Sequence, residues 1–183
     1  MRLNTLFAMV FAAAAAGCDY TVPLAEKPER AIDAALVGAW ERTTGQGEIE
    51  RLLVLPLGKT EYLVSFPAGS KDAMFARACL CNAAGLTLVQ LTWFGTARGA
   101  LPEDGRVYQF ASCTVAGDTL KGRLLNGDVV DRDANSSAAL ATAIEANKEN
   151  ANLFREEMIF TKVKPAADPN APFKRPPMPA AWR

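Results

Sequence analysis

The chain has 183 residues, with 20 Lys and Arg against 20 Asp and Glu. That length suits one domain with a real core, and the balanced charge, with no basic block, removes nucleic acid from the expected partners. Histidine is absent, which rules out Ser-His-Asp and Cys-His catalysis and the commonest zinc sites.

Arg2 supplies positive charge at the N-terminus, and residues 3–17 carry no charged side chain. A bilayer-spanning helix needs about 20 apolar residues, and this run is shorter and thins into alanines, the pattern of a cleaved signal segment over residues 1–17. The stretch Ala15-Ala16-Gly17-Cys18 resembles the lipobox of bacterial lipoproteins, with Ala15 where leucine is usual. The resemblance implies a diacylglyceryl group on Cys18, a mature chain beginning there, and attachment to a cell membrane facing the periplasm. Two or more acyl chains hold a protein stably on a bilayer where one is marginal. Asp19 then resembles the inner-membrane retention signal of enterobacterial lipoproteins, and the choice between inner and outer membrane stays open.

Residues 18–35 are rich in Pro, Glu and Ala and read as a tether, ending in a short helical turn. From residue 36 the pattern becomes short β-prone runs, at 36–43, 49–57, 60–66, 73–81, 86–94, 106–115 and 119–125. Tyr62, Val64 and Phe66 alternate with Glu61, Leu63 and Ser65, as Val89, Leu91 and Trp93 do with Gln90 and Thr92, so one face of each strand is expected to be buried. Turn chemistry at 82–85, 97–105 and 117–118 makes a meander of antiparallel hairpins the economical topology. Residues 136–152 predict one amphipathic helix, and 157–163 return to strand alternation. Six prolines beyond Lys164 favour an extended or disordered tail over 165–183.

The expected fold is therefore mainly β: an antiparallel up-and-down barrel or strongly curved sheet of about eight strands over 36–164, with the helix before the last strand. Gly38-x-Trp40 on the first strand resembles the signature that opens the barrels of lipocalins and related calycins. That resemblance implies binding of a small hydrophobic ligand inside the barrel. Trp40, Tyr62, Phe66, Trp93, Tyr108 and Phe110 are the candidate ligand-lining residues, or else they fill a solid core.

Cys79, Cys81 and Cys113 remain once Cys18 is assigned to the anchor. Cys81 and Cys113 form a candidate disulfide, although one strand lies between them in a meander. The gap is then about 9.6 Å, beyond the roughly 7 Å that an unstrained bridge allows, so the sheet end must curl over or all three thiols stay reduced. The segment Asp131 to Ser136 imitates the start of a calcium loop, but Ser136 stands where glycine is expected and Thr142 where glutamate should bind. Asp133, Asn135 or Ser136 instead suits the N-cap of the following helix. No metal and no cofactor is expected, and no enzyme. Two functions survive: a membrane-anchored periplasmic lipoprotein whose barrel binds a small hydrophobic ligand, and a non-catalytic module that binds another envelope protein as inhibitor or assembly accessory.

Overall fold

The computed structural model describes residues 19–99 and 105–164. Residues 1–17, read as a signal segment, Cys18, residues 165–183, read as a tail, and Glu103 and Asp104 of the expected turn at 97–105 lie outside the described residues. Eight antiparallel strands run in chain order around a closed barrel: β1 (Gly38–Thr43), β2 (Ile49–Leu57), β3 (Glu61–Phe66), β4 (Met74–Ala83), β5 (Leu86–Thr96), β6 (Tyr108–Ala116), β7 (Thr119–Leu124) and β8 (Met158–Lys162). Helix α1 (Ser137–Ala146) precedes β8. It is shorter than its helix-forming composition suggested. Ser136 caps it, the hydroxyl oxygen accepting from the Ala139 amide at 3.1 Å.

Closure is made by β1 and β8, where Trp40 faces Lys162 and Glu41 faces Thr161, extended by the Val163 amide donating to the Ala39 carbonyl at 2.8 Å. Each hairpin alternates the ends of the barrel. One end carries the tight turns at 58–60, 84–85 and 117–118 together with the start of β1; the other carries the longer connections, including the excursion through α1. At the first of these ends Ala84 and Gly85 both have positive φ, 53° and 72°, which is what a two-residue type I′ turn requires.

Side chains from all eight strands meet inside. Trp40, Tyr62, Val64, Ala76, Leu91 and Phe160 are buried there, with Phe66, Met74 and Val115 packed against them. An eight-stranded barrel is just wide enough for such side chains to fill. Trp40 is fully enclosed; its indole Nε1 donates to the Leu36 carbonyl at 3.0 Å, and the Lys162 ammonium sits 4.9 Å from its ring centre. Gly38 has φ 145°, and a Cβ there would come within 3.0 Å of the Lys162 side chain. Both facts favour glycine two residues before the tryptophan.

A second core lies on the outside of the wall. Tyr20, Cys81, Leu88, Phe110, Leu140 and Ile144 pack together, which joins α1 and the N-terminal segment to the outer face of β4, β5 and β6. Residues 19–35 are consequently no spacer, contrary to what their composition suggests. The amides of Asp19 and Tyr20 both donate to the Tyr108 carbonyl at 3.1 Å, and the Tyr108 amide donates back to Tyr20 at 3.0 Å. Further on, buried Gln90 accepts from the amides of Leu24 and Ala25 at 2.7 and 2.9 Å and donates to the Ala25 carbonyl at 2.9 Å. The segment is a strap running up the wall from the long-loop end to the short-turn end, because outward-facing Phe110 and Gln90 give it both an apolar bed and hydrogen bonds that composition could not reveal.

Candidate functional site at the barrel mouth

At the short-turn end the strap bends over the opening. The Ile32 amide donates to the Lys59 carbonyl at 3.0 Å, and the Asp33 amide donates to the Tyr62 hydroxyl at 2.6 Å. Asp33 then caps a 3₁₀ turn, Ala34–Leu36, by accepting from the Ala35 amide at 2.9 Å. Leu36 plugs the top of the interior.

Beneath this cover lies a cavity of about 230 Å³. Its apolar surfaces come from Leu36, Leu80, Val89 and Val115, and its polar groups are Arg30, Asp33, Thr87 and Cys113. The Arg30 guanidinium bonds Asn82 and, at 3.1 Å, the Thr87 hydroxyl, which holds it at the rim with further N–H donors to spare. Burial pushes the Cys113 thiol up to about 11, so it is a neutral thiol at ordinary pH and no nucleophile. Burial also raises the pKa of Tyr62, against the lowering influence of its bond to the Asp33 backbone. What the cavity offers is therefore an apolar shape and hydrogen-bonding groups.

Of the six aromatic candidates, Trp40, Tyr62, Phe66 and Trp93 belong to the interior cluster; Trp40 and Tyr62 bond the cover at Leu36 and Asp33, and none of the six lines the cavity. Tyr108 and Phe110 do not line the interior. On β6 it is Cys113 and Val115 that face inward, and period-two alternation sends residues 108 and 110 outward, into the core shared with Tyr20, whose ring centre lies 5.3 Å from that of Phe110. Gln109 is the inward neighbour, and its Oε1 accepts from the Trp93 indole at 3.3 Å.

The candidate disulfide between Cys81 and Cys113 is not formed; Cys79, Cys81 and Cys113 are free thiols. Cys81 belongs to the outer core and Cys113 to the inner one, so the two side chains leave opposite faces of the wall. Sequence reasoning also missed Arg30, Ile32 and Asp33 as site residues, having assigned them to the tether. The available signal was the spacing of Ile32 and Leu36, an apolar pair one helical turn apart just before the first strand.

No protein-family model, no curated protein and no solved structure matches this chain.

Proposed function

We propose that this is a non-catalytic lipoprotein of the bacterial cell envelope, anchored through an acylated Cys18, which binds a small ligand with an apolar body and a polar head at the barrel mouth. The observation that carries the reading is the cavity of about 230 Å³ under the strap. Drug-sized pockets run from about 300 to 1,000 Å³, so this one suits a smaller molecule, its body against Leu80, Val89 and Val115 and its head toward Arg30. Charge-assisted bonding to a guanidinium favours a carboxylate head. The filled interior leaves the mouth, not the centre of the barrel, as the place for a hydrophobic guest. Gly38-x-Trp40 and the up-and-down order of strands support a lipocalin-like reading.

Native mass spectrometry of the protein purified from its own cells tests this. A retained small molecule, lost from Val115→Trp and weakened in Arg30→Ala, is the expected result. Wild-type protein that carries nothing and gains no melting temperature from medium-chain carboxylic acids would refute it.

A protein-binding role has one observation of its own. On the outer wall of β2 and β3, Leu55 stands opposite Leu63 and beside Leu57, and Leu55 and Leu57 are 40% and 41% exposed. Scattered exposed leucines are ordinary, but a row of them on one wall supports a contact surface. Loss of an in-cell cross-linked envelope protein from the double variant Leu55→Lys, Leu57→Lys, with ligand retention intact, would favour this second function.

A further inference from the structure

We infer that the barrel is seated directly on the bilayer by its long-loop end, with the mouth cavity facing away, so that its ligand is taken from the aqueous phase and not from the membrane that carries the protein. The inference rests on the proposed acylation of Cys18 and on the mouth as the binding site.

A free tether of the length first expected would let the domain roam about 23 Å from its anchor in any orientation. The strap removes that freedom. Asp19 and Tyr20 are 4% and 0% exposed. Their amides are held by Tyr108, and the Tyr20 hydroxyl donates to the Val130 carbonyl at 3.2 Å. The Asp19 carboxylate is approached by the Arg155 guanidinium at 3.3 Å and that of Arg132 at 3.7 Å. The acylated residue is thus one peptide unit, about 3.8 Å between Cα atoms, from a backbone fixed in the fold.

That fixed point lies at the start of β6, at the end of the barrel where the Arg155 amide donates to the Leu124 carbonyl at the end of β7 and Arg132 approaches Asp19. The cavity is lined by Cys113 and Val115 near the other end of the same strand. From Tyr108 to Val115 the chain rises about 23 Å at 3.3 Å per residue, reduced to roughly 18 Å along the barrel axis by the usual strand tilt. A lipid embedded at residue 18 therefore draws the long-loop end into the headgroup layer and leaves the mouth well above it. Asp19 has a structural task in this arrangement whatever membrane the protein is sorted to.

The test uses the full protein purified from membranes and reconstituted in vesicles doped with a lipid whose headgroup carries a nitroxide quencher. One cysteine is added for a fluorophore, at Asp128→Cys beside the anchored end or at Lys59→Cys beside the mouth; protein without an added cysteine corrects for label on native thiols. Both positions are exposed. Most of the fluorescence should be lost at 128 and retained at 59. Inserting about twelve Gly and Ser residues between Cys18 and Asp19 should remove the difference by restoring a flexible linker. Equal quenching at both positions, or stronger quenching at 59, would overturn the seating. The mass of the N-terminal peptide is read on the same sample: an unmodified Cys18 would overturn the anchor on which the inference rests, and is distinguishable from a wrong orientation of an acylated protein.

Discussion

The interior core and the outer core bury similar residues in different ways. Inside, Trp40, Tyr62 and Phe160 come from strands that are joined in chain order by hairpins and closed at β1 and β8. Outside, Tyr20, Phe110, Leu140 and Leu153 come from the strap, β6, α1 and the approach to β8; the Tyr20 hydroxyl reaches Val130, and Asp19 reaches Arg155 across most of the chain. The first core follows from local alternation. The second exists only because two excursions return to the same stretch of wall. One consequence is asymmetry: β4 to β6 are covered on both faces, while Leu55 and Leu57 on β2 stay exposed among the described residues.

If both cores are parts of one cooperative unit, Trp40→Ala and Phe110→Ala should each cost about 3–5 kcal/mol in urea denaturation, as fully buried large aromatics do. A Phe110→Ala cost below about 1 kcal/mol would reduce the outer core to a detachable coat. Next in size is Asp19→Ala. Its carboxylate is buried, but Arg155 and Arg132 are partly solvated, with side chains 34% and 36% exposed, so the loss should be about 1–2 kcal/mol and not the full cost of orphaning a buried charge. Hydrogen exchange should show that loss first in the strap and at Tyr108, ahead of Trp40.

The buried thiols separate the cores by pH. Burial, and to a smaller degree the neighbouring Cys79, pushes the Cys81 thiol up to about 12, and burial alone pushes Cys113 up to about 11. In the unfolded chain both should titrate near 8.5. A raised folded pKa means that the unfolded state gives up its proton first, so stability is intact below about pH 8.5 and falls as the pH climbs toward about 11 to 12. Melts across this range should show a shallower decline for Cys81→Ala, which reports on the outer core, and separately for Cys113→Ala, which reports on the inner. An unchanged slope in both would mean that neither thiol stays protonated by burial. Smallest is the turn that ends β4. Ala84 pays for its φ of 53° without the glycine or asparagine that a type I′ turn prefers, so Ala84→Asn should raise stability by about 0.5–1 kcal/mol. A fall would show that its methyl group matters to the outer core, against which it packs.

The sequence by itself determined the strands, the hairpin order, the single helix, with Ser136 among three candidate caps, and the burial of Trp40, because each is set by period, turn chemistry or capping within a few residues. Alternation says which residues share a face. It does not say which face is inside, so Tyr108 and Phe110 were read with the interior aromatics although Gln109, between them, occupies the inward side. A signal was present in β4, where Ala78, Cys79, Leu80 and Cys81 are all buried, the near-continuous apolar run of a strand covered on both faces. The tertiary structure alone decided that residues 19–36 form a strap, that Arg30 and Asp33 belong to the mouth, and that Cys81 and Cys113 face apart. Each of these depends on contacts between residues far apart in sequence, and the composition of the strap, with its prolines, glutamates and alanines, describes a chain that would stay free if the wall of β5 and β6 offered no Gln90 and no Phe110 to hold it.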